Sequence, residues 1–323
     1  MKKEDLKIVF MGTPDFALGC LKQLVENDFN VVGVFSQPDK PKGRGMKLIP
    51  TPTKEYAVSK SIPVYQPLKL KNNEEVLNIL NELHPDLIVV VAYGKILPKY
   101  VLDFPKYGCI NVHGSILPKY RGAAPIQWSV INGDKETGVT TMYMDEGMDT
   151  GNMITVAKTT IENEDTYGTL HDKLMALGAE TLVADLERLI KNEGKLESTK
   201  QPEEYTLAPM LSKEISMIDF NNKVETIINL VRGTNPFPTA WCKLDEERIY
   251  KVYKAEVLKL EDNHERENIG EIVYLNDKKN IFAVKCKDGF VNLKEIKPAG
   301  SKLMNCGDYI RGGKVKVGEV FLK

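Results

Sequence analysis

No stretch of this chain approaches the ~18 consecutive apolar residues that a membrane-spanning helix needs. The N-terminal M-K-K-E-D-L-K-I-V-F-M-G has acidic residues and only a five-residue apolar run. That pattern argues against a secretory signal, reads as entry into a first strand, and leads to the expectation of a cytoplasmic address. Cysteine is sparse: Cys20, Cys109, Cys242, Cys286 and Cys306 are odd in number, scattered, and without a C-x-x-C pair or His-rich neighbour. Neither a disulfide framework nor a zinc site is suggested. Cys109 invites comparison with a catalytic thiol, but a buried strand cysteine is the favoured reading. Net charge is scant too, −1 over 323 residues, divided as −4 over residues 1–204 and +3 over 205–323. The basic side of that split points toward a polyanionic partner only through local clusters of charge. Three fingerprints are missing. The first strand leads into G-T-P-D-F-A rather than G-x-G-x-x-G, and neither G-x-x-x-x-G-K-[ST] nor G-x-S-x-G occurs. A dinucleotide dehydrogenase, a P-loop NTPase and a serine hydrolase are disfavoured accordingly.

What remains is a globular composition, 42% hydrophobic and 28% charged with mean hydropathy −0.28, in a chain long enough for two domains. The first part alternates β-rich runs with helical patterns, which predicts an α/β domain with a Rossmann-like, mostly parallel open sheet. Strands are expected at 7–11, 31–35, 86–93 and 108–113, and helices at 14–26 and 73–83. Two more strands, G-V-T-T-M-Y-M and N-M-I-T-V-A-K-T-T-I, flank the acidic turn D-E-G-M-D-T-G, and a long amphipathic helix follows over 167–191. The polar, aperiodic segment 192–204 is expected to link a domain at 1–191 to one at 205–323. In the latter a helix over 224–232 precedes β-type runs near 239–244, 248–258, 269–275, 280–286, 289–297 and 315–322. That spacing predicts a smaller C-terminal β-barrel of the oligonucleotide-binding (OB-like) type.

The chemistry concentrates in I-N-V-H-G-S-I-L-P-K-Y-R-G-A-A-P-I-Q-W, residues 110–128. Asn111 and His113 stand two apart on a predicted strand, so their side chains share a face. The Gly- and Pro-rich loop that follows lies at a strand's C-terminal end, where open α/β sheets place their ligands. His84, His171 and His264 carry no such context and read as ordinary satisfied histidines. Downstream, M-D-E-G-M-D-T-G can supply a carboxylate, Asp149. If the three converge, the carboxylate sets the imidazole's tautomer and charge, while amide and imidazolium donate to a developing oxyanion. Such a site suits direct attack of an amine on an acyl donor, with Asp149 or an ordered water taking the amine proton.

N-V-H-G-S-I-L-P-K-Y-R-G-A-A-P-I together with D-E-G-M-D-T-G-N closely resembles the folate-dependent formyltransferase family. The resemblance implies the formyltransferase fold, 10-formyltetrahydrofolate as donor, and no metal. It puts Asn111, His113 and Asp149 in the catalytic places and Ser115, Ile116, Leu117 and Pro118 in the folate loop, with Ile116 where Leu is commoner. Family members differ in acceptor: a glycinamide nucleotide, an amino sugar nucleotide, or methionyl-tRNA. Lys40, Lys42, Arg44 and Lys47, with Gly43 and Gly45 between them, make a basic loop that by itself reads as a solvated turn. It looks like the inserted loop with which the tRNA-acting members hold the acceptor arm. V-R-G-T-N-P-F-P-T-A-W (231–241) likewise resembles their C-terminal, tRNA-binding domain, although locally Pro236, Pro238 and Trp241 read as packing residues. The activity implied is formylation of the α-amine of initiator methionyl-tRNA for translation initiation, by a monomer. The alternative is an amino sugar nucleotide or other small amine as acceptor.

Overall fold

The first apolar run becomes β1 (Ile8–Gly12), buried along its whole length near the middle of a seven-stranded sheet. The computed structural model describes residues 1–42, 47–261 and 266–322. After β1 come α1 (Asp15–Glu26), β2 (Val31–Phe35), the short strands β3 (Lys40–Lys42) and β4 (Lys47–Ile49), α2 (Pro52–Ser59) and β5 (Val64–Tyr65). Then follow α3 (Glu74–Leu83), β6 (Leu87–Val91), α4 (Lys99–Leu102), β7 (Cys109–His113), α5 (Pro125–Ile131), β8 (Glu136–Tyr143), β9 (Met153–Thr160) and α6 (Tyr167–Lys191). The sheet order is β5-β2-β1-β6-β7-β8-β9. Strands β5 to β7 in that order run parallel, while β8 and β9 are antiparallel additions. The Rossmann-like, mostly parallel sheet is therefore present.

Local chemistry explains the elements. L-I-V-V-V of β6 is apolar at every position because a central parallel strand is covered on both faces, and all five residues are buried. In α3, Asn73 caps the start by accepting from the amides of Glu75 (3.0 Å) and Val76 (3.3 Å). Glu74 and Glu75 suit the positive end of the helix, and Val76 and Leu80, one turn apart, go into the core. The helix stops where His84 takes a left-handed backbone (φ 44°) ahead of Pro85. His171 is equally structural, its ring edge-on to that of Phe16 with the centroids 5.6 Å apart.

The chain divides into two compact units. The first holds Met1–Gly122, Glu136–Thr160 and His171–Ala208, and the second Ala123–Lys135, Ile161–Leu170 and Pro209–Lys323. Residues 192–204 run along the first unit, where Thr199 pairs with Met153. In the second unit, α7 (Val224–Thr234) precedes β10 (Ala240–Lys243), β11 (Ile249–Leu258), β12 (Ile272–Asn276), β13 (Ile281–Cys286), β14 (Gly289–Pro298), β15 (Met304–Asn305) and α8 (Cys306–Arg311). The strands form an antiparallel sheet in the order β10-β11-β14-β13-β12, with β15 on β14. The run expected as a strand at 315–322 forms only isolated bridges, Val320 to Glu271 and Leu322 to Lys243. Gly318, at φ 91°, interrupts it. Those two bridges touch opposite edges of the sheet and draw it toward closure. Its core centres on Phe220, Tyr250, Phe282, Tyr309 and Phe321, in which the Tyr250 and Tyr309 hydroxyls share a 2.9 Å hydrogen bond. Trp241 is half-buried, and its indole N–H donates to the Lys213 carbonyl at 2.8 Å.

Candidate active site

Strand β7 carries Asn111 opposite Met142 and His113 opposite Thr140 on β8, so the two side chains lie on one face, as their spacing requires. Both are more than nine-tenths buried, at 8% and 6% exposure. Among the described residues no protein group hydrogen-bonds the Asn111 amide. A buried amide left open in this way is suited to an incoming ligand, because in water or in protein it would otherwise be paired. His113 is held at one ring nitrogen. Its Nε2 lies 2.9 Å from the Tyr120 carbonyl oxygen. A carbonyl only accepts, so Nε2 carries a proton and the Nδ1 edge is the one left for chemistry. That edge faces Asp149, with Nδ1 3.7 Å from Oδ2. The three residues are thus gathered at the end of β7, but Nε2–H is committed to Tyr120, which narrows the expectation that either imidazolium N–H serves an oxyanion.

Asp149 sits in the turn after β8. Asp145 organises this turn by accepting from the Gly147 amide (3.0 Å) and the Thr150 hydroxyl (2.6 Å). Gly151 closes it, since a Cβ there would stand 1.7 Å from the Tyr143 carbonyl oxygen. Asp149 itself adopts φ 55°, a left-handed conformation uncommon outside glycine. Its carboxylate accepts the Gly122 amide at 2.8 Å. Gln201 donates to the backbone carbonyls of Asp149 and Gly151, both at 2.8 Å.

The expected folate loop leaves β7 directly. Ser115 is fully buried and donates to the Lys119 carbonyl at 2.6 Å, which shapes the loop and leaves no free nucleophile. Ile116 and Pro118 are half-buried and Leu117 is buried. Thr140 pins the loop from β8: it donates to the Ser115 carbonyl (2.7 Å) and accepts the Leu117 amide (3.1 Å). Cys109, at the start of β7, is buried, and burial pushes its thiol up to about 12, so it holds no thiolate at neutral pH. The basic loop is an antiparallel pair in which Lys42 registers with Lys47 and Lys40 with Ile49. Lys40 is exposed, whereas Arg44 lies outside the described residues. At its base Lys54 donates to Asp39 (2.6 Å) and to Gln66 (2.8 Å), Gln66 Nε2 donates to Asp39 (2.8 Å), and the bonds that Asp39 accepts from Lys54 and Gln66 hold its carboxyl below the ordinary range. Tyr120, Gly122, Thr140 and Gln201 were given no site role from sequence, Gly122 being read only as one of the residues that make the loop irregular. The first two act through main-chain atoms, which every residue type has. Gln201 falls in a polar stretch with no periodicity to mark it.

Comparison with known proteins bears on this arrangement. Residues 6–186 match the family model for the formyl transferase domain, and residues 210–314 the model for the formyl transferase C-terminal domain. A methionyl-tRNA formyltransferase of Clostridioides difficile is 46% identical over 98% of this chain and 99% of that protein. Among solved structures, WlaRD, a sugar 3N-formyl transferase crystallised with dTDP and 5-N-formyl-THF, superimposes with a TM-score of 0.64 at 20% identity, covering 92% of this chain and 99% of its own. HypX from Aquifex aeolicus in complex with tetrahydrofolic acid gives 0.63 at 15% identity, covering 94% of this chain and 46% of that larger one.

Proposed function

This chain belongs to the formyl transferase family, and on that footing we propose that it transfers the formyl group of 10-formyltetrahydrofolate to the α-amine of methionyl-tRNA, with Asn111, His113 and Asp149 carrying the chemistry. The observation that carries the acceptor is the reach of the identity: 46% extends over 98% of the chain, through the second unit as well as the first. An amino sugar nucleotide is not favoured, because the sugar-acting neighbour shares 20% identity and therefore a fold only. The reading brings with it initiator tRNA as the physiological acceptor, the cytoplasm as the place of work, and a single chain as the working unit. No helix among the described residues is long and apolar enough to cross a membrane.

The donor contributes an activated formyl carbon. The residues fit it, since the buried Asn111 amide has no protein partner among the described residues and is free to donate an N–H to a carbonyl oxygen. As the neutral amine attacks, negative charge grows on that oxygen, and a preorganised donor is worth most at that stage. Asn111 supplies the donor. His113, its Nε2–H given to the Tyr120 carbonyl, turns its Nδ1 edge toward Asp149, 3.7 Å away, and the two polar edges flank the place where that charge grows. Asp149, or a water on it, accepts the proton the amine loses, and as the intermediate collapses the formyl carbon's bond to the donor nitrogen breaks, that nitrogen taking a proton to leave as tetrahydrofolate. Ser115 to Pro118 form the wall against which the folate is held, and Lys40, Lys42, Arg44 and Lys47 engage phosphates of the acceptor arm.

The test supplies 10-formyltetrahydrofolate with methionyl-tRNA, free methionine or an amino sugar nucleotide and asks which is formylated. Methionyl-tRNA is expected to be the acceptor used, and formylation of the sugar nucleotide instead would overturn the reading. Asn111→Ala and His113→Ala are expected to lose roughly 10²–10³ in turnover while remaining folded, the usual cost of one oxyanion donor.

A further inference from the structure

Gln201 lies at the junction of two pieces of chain that the proposed chemistry needs held together. It is buried, 6% exposed, and its amide is used in full. Nε2 donates to the carbonyls of Asp149 and Gly151, at 2.8 Å each. Oε1 accepts from Arg121 Nε at 3.0 Å and from a second guanidinium nitrogen at 2.7 Å. The orientation of the amide is set by its partners, because guanidinium only donates and carbonyls only accept. Arg121 is steadied in turn by the ring of Tyr205, 4.6 Å from its guanidinium carbon.

The same segment grips the loop bearing His113's partner. Thr206 accepts the Tyr120 amide through its hydroxyl (2.8 Å) and the Arg121 amide through its carbonyl (2.9 Å), and Ala208 donates to the Arg121 carbonyl (2.8 Å). Tyr120 gives its carbonyl to His113, and Gly122 gives its amide to Asp149. Residues 201–208 therefore form a strap across the loop, and Gln201 is the side chain in it that also reaches the acidic turn. That turn needs holding, since a left-handed aspartate costs of order 1 kcal/mol or more unless its surroundings impose it. A buried amide that made no such bonds would itself be unfavourable.

We propose that Gln201 is a positioning residue that acts through Asp149, fixing the carboxylate against the Nδ1 edge of His113 by holding the two carbonyls that bracket the turn. The proposal rests on the assignment of Asp149 to the chemistry. Gln201→Ala removes all four bonds. Gln201→Glu keeps an acceptor for Arg121 but sets a carboxylate oxygen against the two turn carbonyls in place of both donors, so it breaks that arm while sparing the Arg121 bonds and serves should the alanine variant not fold. Steady-state constants for both substrates, thermal melting, and the double variant with Asp149→Asn form the experiment.

Both Gln201 variants are expected to lose at least about tenfold in kcat, as small displacements at a reacting centre do, while either KM moves less than about twofold. In the Asp149→Asn background, Gln201→Ala is expected to cost little more, because the group it positions is gone. A lowered melting temperature with kcat intact, or losses that multiply in the double variant, would make Gln201 merely structural and overturn the proposal. Near-normal transfer by Asp149→Asn would instead remove the catalytic assignment on which it rests. The two failures are told apart by that one single variant.

Discussion

Alanine at Gly122 perturbs the site without touching any side chain assigned to the reaction. Gly122 has φ 124°, and a Cβ there would stand 2.8 Å from the Ala208 carbonyl oxygen. Backbone strain of that kind costs ~1–3 kcal/mol. For a unit of some 150–250 residues, ~2 kcal/mol lowers the melting temperature by roughly 4–8 °C. The clash has a second effect. To reach ordinary contact, at 3.4 Å or more, Ala208 and Gly122 must separate by roughly 0.6 Å. The Gly122 amide is the group that holds the Asp149 carboxylate, so the carboxylate is displaced by a fraction of that distance. A misplacement of ~1 Å costs ~10² in rate, so about tenfold is expected in kcat. Gly300→Ala is the control: it has φ 71° but nothing within 4 Å, so strain is present without the clash. Formyl transfer and thermal melts of both variants decide the matter. A Gly122→Ala protein that melts lower yet transfers at the normal rate would show that Asp149 does not depend on this amide.

Further outcomes follow from the same geometry. Burial pushes the thiols of Cys20, Cys109 and Cys286 up to about 12 and that of Cys306 up to about 11. Folded-state values above the unfolded ~8.5 mean that the native state retains protons the unfolded chain has released, so this stability is complete below ~8.5 and is lost as pH climbs toward the folded values. Urea midpoints should decline steadily from about pH 8.5 to 10.5, and a flat profile there would contradict the buried, protonated thiols. A thiol reagent at pH 7 should label the native protein slowly at all five cysteines and the unfolded chain quickly. Lys54→Met removes the stronger of the two side-chain bonds that hold Asp39 low, leaving that from Gln66, and loosens the base of the basic loop. It should raise KM for methionyl-tRNA several-fold with the folate KM unchanged, and equal changes in both would refute that placement. Because the Asp39 carboxyl is depressed, the stability it adds is present above ~3.9 and is lost as pH falls through its folded value. KM for methionyl-tRNA should also rise steeply with salt through counterion release, and a salt-independent KM would count against phosphate contacts.

Elements whose residues answer to a single periodicity were legible in the sequence, and those held by distant partners were not. L-I-V-V-V could only be a doubly covered strand, and the period of 167–191 ends where α6 ends. The strands β3 (K-P-K) and β4 (K-L-I) are three residues each, too short for an alternation to register. The α5 helix, seven residues long with Pro125 in its first turn, is too short to show an amphipathic period against its neighbours. At 315–322 the apolar run promised a strand, and a left-handed glycine inside it reduced the pairing to bridges.

The site divides along the same line. That Asn111 and His113 share a face was legible because they stand two apart on one strand, and Asp149 was suggested by an acidic turn able to supply a carboxylate. What sets their working geometry was not recoverable. It is built from the carbonyl of Tyr120, the amide of Gly122, and a glutamine whose bond to Asp149 spans 52 positions of chain. Main-chain donors and acceptors are identical at every residue, so a sequence does not mark which of them is aimed at a carboxylate. A single buried amide likewise looks the same as a solvated one until the fold brings its partners to it. The residues proposed to meet the reacting group are therefore marked by type and spacing, while those proposed to fix their position within fractions of an ångström are marked only by tertiary structure. Because rate depends on such fractions, substitutions in the strap at 201–208 should rank beside those in the triad for turnover while leaving the composition of the site untouched.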